Sequence, residues 1–62
     1  MNPLLLTAEE AAELLNIGRC KVYDLLRAGE LESVKIGRLR RIPREAVHDY
    51  ARRLVDEMRA AS

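Results

Sequence analysis

The chain has 62 residues, of which 48% are hydrophobic and 34% are charged, a composition typical of a globular protein. A chain of this size forms one small domain and buries only about 60% of its unfolded surface, which excludes enzymes built from separate cofactor and substrate domains. Its longest apolar run, residues 4–6, is far shorter than the roughly 20 residues that span a bilayer. Because this run lacks the flanks of a secretory signal, we expect a cytosolic protein.

The chain contains one cysteine, Cys20, and one histidine, His48. One cysteine cannot form an internal disulfide, and the two residues together supply too few ligands for a zinc site. Neither residue stands in the sequence pattern of a nucleophile with its base. We therefore expect a protein that is not an enzyme and that needs no metal or cofactor.

The net charge of +1 is unevenly distributed along the chain. Residues 1–18 carry three acids and no base (−3), residues 19–44 carry eight bases and three acids (+5), and residues 45–62 carry three bases and four acids (−1). The basic middle segment is suited to a polyanionic partner, although a solvated surface can have the same composition.

Two short helices joined by a tight turn are predicted over residues 8–15 and 19–28. Thr7 and Glu10 have the spacing of a capping box, and apolar residues follow them with helical periodicity. Gly29 ends the second helix, since glycine is favoured just after a helix C-terminus. Only three residues separate the helices and one of them is glycine, a pattern typical of a helix-turn-helix.

A short β-hairpin is predicted over residues 33–42, where apolar and polar residues alternate around Gly37. Two registers are possible. A two-residue turn at Gly37 and Arg38 places on one face Val34, Ile36, Leu39 and Arg41. A three-residue loop aligns instead Val34, Ile36, Arg40 and Ile42. We favour the second register, because it buries Ile42 together with both aliphatic residues of the first strand.

A third helix is predicted over residues 44–60, directly after Pro43. Proline is favoured at a helix start, where its missing N–H group costs nothing. Apolar residues then recur at i, i+3, i+4, i+7, i+8 and i+11 over about four turns, the most regular amphipathic pattern in the chain. The predicted fold is therefore mainly α with a small β-hairpin, in the order α-α-β-β-α.

The second helix is suited to the major groove of double-stranded DNA. The chain has only two aromatic residues, Tyr23 and Tyr50, too few for the stacking platforms of single-strand binders. With its apolar residues facing inward, the other side of this helix carries Arg19, Cys20, Lys21, Asp24 and Arg27. We expect Arg19 and Lys21 to contact bases or phosphates and Arg27 to contact the backbone.

Asp24 has two alternative roles on this side of the helix. Its carboxylate repels phosphates, but it can accept a hydrogen bond from a cytosine amino group. It can also pair with Arg27 or Lys21 within the helix.

The predicted hairpin is a second basic element. Four cationic residues lie within seven positions: Lys35, Arg38, Arg40 and Arg41. Arg38 stands beside Gly37 at the tip, and a slim loop with an arginine can enter a narrow minor groove. A basic helix and a basic hairpin in succession favour duplex DNA more strongly than either element alone.

Four blocks in this order resemble the excisionase-type helix-turn-helix family: TAEEAAELLNIGRCKVY from Thr7, LLRAGEL from Leu25, VKIGR from Val34 and RIPREA from Arg41. The resemblance covers residues 4 to about 51. It implies a winged helix-turn-helix related to the DNA-binding part of MerR-type regulators, with a wing at residues 33–42 and a closing helix packed against the first. It also implies DNA contacts from the recognition helix and the wing tip, at Gly18, Arg19, Cys20, Lys21, Tyr23, Gly37 and Arg38.

The sequence departs from the family pattern at three positions. Gly18 stands where the family usually has a serine cap, which weakens the cap by a few tenths of a kcal/mol. Arg40 replaces a common aromatic residue of the second wing strand, and Asp24 replaces a common basic or polar residue. Base preference therefore cannot be transferred from the family.

The resemblance implies an excisionase, a protein that binds repeated sites beside an attachment site, bends DNA and biases an integrase towards excision. A small transcriptional regulator of the same fold is an alternative, and a protein-interaction module using the last helix is another. In that helix Leu54, Val55 and Met58 pack on residues 4–6 or contact a neighbouring copy or an integrase. No membrane or small-molecule partner is expected.

Overall fold

The computed structural model describes residues 3–61. It contains three helices, α1 (Ala8–Leu15), α2 (Arg19–Ala28) and α3 (Arg44–Ala61), and three short strands, β1 (Leu5–Leu6), β2 (Val34–Ile36) and β3 (Leu39–Pro43). The fold is a winged helix-turn-helix, which confirms the predicted class. The hairpin of β2 and β3, with its turn, is called the wing below. No helix within the described range is long and apolar enough to cross a membrane.

Local hydrogen bonds define the ends of α1 and α2. Thr7 Oγ1 accepts from the Glu10 amide at 3.1 Å, and Glu10 Oε1 accepts from the Thr7 amide at 2.9 Å, which completes the capping box. Gly18 begins α2 without a side-chain cap. At the other end Gly29 has a φ of 76° and donates to the last turn, a left-handed conformation that favours glycine.

The core consists of eight buried apolar residues drawn from all three helices, β1, β3 and the segment after α2: Leu6, Ala11, Ala12, Val22, Leu25, Leu31, Ile42 and Val47. Two of them are alanines of α1, whose small side chains let α1 and α2 approach closely. Leu31 is only 2% exposed. It closes the core beneath the end of α2, a role that the sequence analysis did not assign.

The strand β1 was not predicted. It pairs antiparallel with β3, so that Leu6 faces Ile42 and the sheet order is β1-β3-β2. The start of α3 strengthens this junction, because the Arg44 amide donates to the Leu4 carbonyl at 2.9 Å and Arg44 Nε donates to the Pro3 carbonyl at 2.8 Å. The N-terminal leucines thus hold the wing and α3 against the body of the protein.

The register favoured from the sequence is wrong. Val34 pairs with Arg41, and Ile36 pairs with Leu39, so the turn contains only Gly37 and its neighbour. Gly37 has a φ of 60° at the first central position, the requirement of a type II′ turn, whose twist matches that of the strands. Ile42 is instead buried by the pairing of β3 with β1, where it faces Leu6. A longer loop in the wing is therefore not required for its burial.

The wing consequently has two different faces. The inner wing face carries Lys35, Arg40 and Ile42. The outer wing face carries Val34, Ile36, Leu39 and Arg41. The three aliphatic residues of the outer wing face are 40–53% exposed, so the first wing strand contributes nothing to the core.

The helix α3 has 18 residues and is about 27 Å long. Its first turns pack on α1 and β3, where Val47 is buried and Tyr50 is half-buried. Arg53 fastens the middle of the helix to the loop after α2: its Nη2 donates to the Glu30 carbonyl at 2.6 Å, and its guanidinium lies 5.6 Å from the centre of the Tyr50 ring.

Two aliphatic residues of β3 give a matched test of this architecture. Ile42→Ala should lower the free energy of unfolding by about 2–5 kcal/mol, because it leaves a cavity where β1, β3 and the helices meet. Leu39→Ala should change it by less than about 0.5 kcal/mol, because its side chain is half exposed. Urea unfolding followed by circular dichroism measures both values. Equal losses would contradict the observed register.

Candidate nucleic-acid interface

The predicted DNA-binding residues of α2 lie on its solvent side. Val22 and Leu25 are buried and Leu26 is half-buried, so the inward stripe follows the predicted one. The remaining side of the helix and its N-terminal glycine are exposed: Gly18, Arg19, Cys20, Lys21, Tyr23, Asp24 and Arg27.

Helical spacing orders these residues into three rows. Cys20, Asp24 and Arg27 follow at i, i+4 and i+7 along the middle of the exposed side. Arg19 and Tyr23, four positions apart, lie on one flank, and Lys21 lies on the other. The two predicted base-contacting residues, Arg19 and Lys21, thus lie on both sides of the middle row, at the N-terminal end that enters deepest into a major groove.

A cleft lies between α2 and the wing. It is lined by Thr7, Ala8, Glu9, Tyr23, Leu26, Arg40, Arg41 and Ile42. Tyr23, 42% exposed, is on the α2 side of this cleft, and Arg40 and Arg41 are on the wing side. The helix flank that carries Tyr23 and Leu26 therefore faces the wing.

The first turn of α1 also lines this cleft, through Thr7, Ala8 and Glu9. Of these three residues only Thr7 has a role predicted from the sequence, as the cap of α1. Nothing in the local sequence indicates a place beside the wing, because it depends on how α1 packs against β3.

The wing presents its cations on both faces and at the tip. Lys35 and Arg40 are cross-strand partners on the inner wing face, and Arg38 occupies the turn itself. All three are exposed. Arg41 is half-buried, and its Nη1 donates to the Arg40 carbonyl at 2.9 Å, which holds its side chain along the strand.

One ion pair occurs within residues 3–61. Arg27 Nη2 lies 2.5 Å from Asp24 Oδ1, with side chains 75% and 60% exposed. Of the two roles weighed for Asp24, the free protein thus shows the pairing with Arg27. The other cations of α2 and the wing have no carboxylate partner in this part of the chain. Their charge therefore remains uncompensated at this surface.

The same range contains no group of three potential metal ligands. Cys20 is a free, exposed thiol in the middle row of α2. His48 is exposed on α3.

The predicted partner-contacting residues lie at the far end of α3. Leu54 is 42% exposed, Val55 is 47% exposed and Met58 is 72% exposed. Helical spacing places them on the same stripe as the buried Val47. The apolar stripe therefore continues past the body of the protein, and packing on residues 4–6 does not bury it.

This combination of a short helix-turn-helix and a basic wing defines a class of small DNA-binding proteins. A family model described as a helix-turn-helix domain matches residues 5–55. No solved structure shows a significant match to the chain.

Three relatives narrow the assignment of this chain within the helix-turn-helix proteins. A protein of Saccharopolyspora erythraea described as a probable excisionase is 60% identical over 60 residues, which cover 97% of this chain and 61% of that protein. An excisionase of Streptomyces ambofaciens is 48% identical over 50 residues, covering 81% of each. A Mycobacterium tuberculosis protein named as DNA-binding is 44% identical over 45 residues, covering 73% of this chain and 58% of that protein.

The chain belongs to the excisionase-type helix-turn-helix family of DNA-binding proteins. Membership of this family implies a binding protein rather than an enzyme. The chain spans about six tenths of the length of its Saccharopolyspora relative.

The Asp24–Arg27 pair generates a prediction for DNA affinity. Asp24→Asn removes one negative charge from the exposed side of α2 and releases Arg27 to contact a phosphate. We expect affinity for a random-sequence duplex to rise about threefold at low salt. The slope of log affinity against log salt should steepen by about 0.9, the increment of one further phosphate contact.

Gel-shift titrations at several salt concentrations measure both quantities. Asp56→Asn, the same change on the exposed side of α3, is the matched control and should leave the salt slope unchanged. An identical response of the two variants would mean that Asp24 does not face DNA.

Proposed function

We propose that residues 1–62 act as a single winged helix-turn-helix domain that binds double-stranded DNA sequence-specifically and serves as an excisionase. The observation that supports this most directly is the cation-rich exposed surface of α2 and the wing, where the cations other than Arg27 have no carboxylate partner among residues 3–61. An extended polyanion suits such a surface better than any small ligand does. The protein would act in the cytoplasm, on DNA.

The proposed binding mode uses both basic elements. The helix α2 enters the major groove, where Arg19 and Lys21 donate to guanine edges or phosphates. Because Gly18 has no Cβ, the N-terminus of α2 can approach the DNA backbone closely. The wing reaches the adjacent minor groove with Arg38, while Lys35 and Arg40 contact the phosphates along its edge.

The proposed role in excision is architectural rather than chemical. Several copies bind neighbouring sites and bend the attachment-site DNA. The elastic energy of the bend, about 1–6 kcal/mol, is offset by the contacts that the bend permits. The names of the Saccharopolyspora and Streptomyces relatives support this role over that of a transcriptional regulator. The exposed end of α3 provides a contact for a neighbouring copy or for an integrase.

A salt titration tests the binding mode. If each monomer contacts four to six phosphates, log affinity should fall with log salt with a slope of about −4 to −5. A pool of 25-bp random duplexes, enriched by binding and sequenced, should yield a motif that serves as the specific probe. A flat salt response, or a pool without enrichment, would refute sequence-specific DNA binding.

A recombination assay tests the excisionase role. Purified integrase and a plasmid with two excisive attachment sites should give more excision product when this chain is added. A site-specific integrase gene found beside the gene for this chain would supply the enzyme. Unchanged excision together with a response of a nearby promoter would favour the transcriptional regulator instead.

The role of α3 predicts a separable defect. Leu54→Asp places a charge on the exposed apolar stripe, outside α2 and the wing. We expect cooperative binding to adjacent sites, or capture by the integrase, to be lost while affinity for a single site changes less than about twofold. Arg52→Asp, on the polar side of the same helix, is the control. If both variants retain cooperativity and integrase capture, the stripe has no partner role.

A further inference from the structure

The tip of the outer wing face exposes two large aliphatic side chains. Ile36 and Leu39 are direct cross-strand partners on either side of the two-residue turn, and each is 53% exposed. Val34, behind them on the same face, is 40% exposed. The buried residue of the wing, Ile42, lies on the opposite face. The core therefore does not account for the apolar residues at the tip.

The surroundings of this apolar pair indicate what covers it. Four cations belong to the same short hairpin: Lys35, Arg38, Arg40 and Arg41. The wing of a second copy would bring four like charges to the contact and would be repelled. A duplex minor groove has the complementary chemistry, since phosphates line its edges, its walls are sugar rings with apolar C–H groups, and the base faces exposed by partial unstacking are apolar. Charge complementarity therefore favours DNA as the occupant.

We propose that Ile36 and Leu39 form an apolar wedge that enters the minor groove, partly unstacks one base step and bends the DNA. The inference rests on the proposed function, because α2 must first bring the wing to the duplex. Branched aliphatic side chains inserted from the minor groove kink DNA towards the major groove. The wedge thus supplies a cause for the bend.

The shape of the tip fits this insertion. The turn has only two residues, and nothing lies within 4 Å of the position a Cβ would take at Gly37, so the tip is slim and unobstructed. The axes of two paired strands are about 4.8 Å apart, so the hairpin with its side chains is wider than the roughly 6 Å minor groove of undistorted DNA. A hairpin with side chains enters only when the groove opens, which unstacking achieves. Flexible TA and CA/TG steps should be preferred at the insertion point.

Fluorescence experiments on the sequence enriched from the random pool test the wedge. A donor and an acceptor at the ends of a 40-bp duplex report bending, and 2-aminopurine placed at successive steps reports unstacking. The wild-type chain should bend the duplex by about 40° or more and raise 2-aminopurine fluorescence at one step. The variant Ile36→Thr with Leu39→Thr, which retains residues favoured in strands, should lose at least half of the bend and all of the fluorescence rise.

The affinity of this double variant should change by less than about fivefold, since the lost contacts are offset by the deformation that is no longer needed. Leu14→Thr on α1, at a side chain that is also 53% exposed, is the matched control and should bend DNA as the wild type does. Thermal unfolding by circular dichroism verifies that each variant folds. The wild-type 2-aminopurine signal tests the wedge without any substitution.

The outcomes separate the wedge from the proposed function. If the wild type fails to bind duplex DNA, the proposed function fails, and the wedge fails with it. If the wild type binds but neither bends nor unstacks the duplex, only the wedge is overturned. An undiminished bend in the double variant also overturns the wedge. The wedge is likewise overturned if the double variant bends DNA but no longer self-associates. That result would mean that Ile36 and Leu39 contact a second copy of the chain.

Discussion

The burial of Ile42 determines how the two proposed DNA-binding elements are arranged. This residue lies between Leu6 of β1 and the helices, and it is 1% exposed. Because side chains alternate along a strand, Arg41 must then point to the opposite face. The two-residue turn fixes the register of β2 against β3, so the side chains of β2 alternate between the same two faces. One apolar contact at the base of the wing thereby decides which cations and which aliphatic residues lie on each wing face.

The same junction positions α3. Arg44 follows β3 directly and bonds to the carbonyls of Pro3 and Leu4, so the helix leaves the sheet at a defined point. Its apolar stripe is buried at Val47 and exposed from Leu54 onwards. The protein thus presents two separate surfaces. One is basic and lies on α2 and the wing, and the other is apolar and lies at the end of α3. A small domain of this shape can hold DNA and still leave a helix available to another protein.

The charge distribution is compatible with stability because the core excludes charge. Among residues 3–61 no polar or charged side chain is buried. The one ion pair, Asp24 with Arg27, is exposed, and such pairs contribute only about 0.2–1 kcal/mol. The stability of the fold therefore comes mainly from the eight buried apolar residues and the partly buried ones packed against them, and the charged residues lie at the surface. Uncompensated cations at α2 and the wing add little to the stability of the free protein and favour a polyanionic partner.

The sequence alone determined the helices, the tight turn between them and the cationic character of α2 and the wing. These features follow from local signals: the capping box at Thr7, the glycine after α2 and the helical spacing of apolar residues. Only the tertiary structure decided the wing register, the strand β1 and the place of Thr7 and Glu9 beside the wing. Each of these depends on contacts between segments distant in the chain, and the pairing of Leu6 with Ile42 has no local signature. An alternating strand pattern is equally compatible with two registers, and packing at its base selects one.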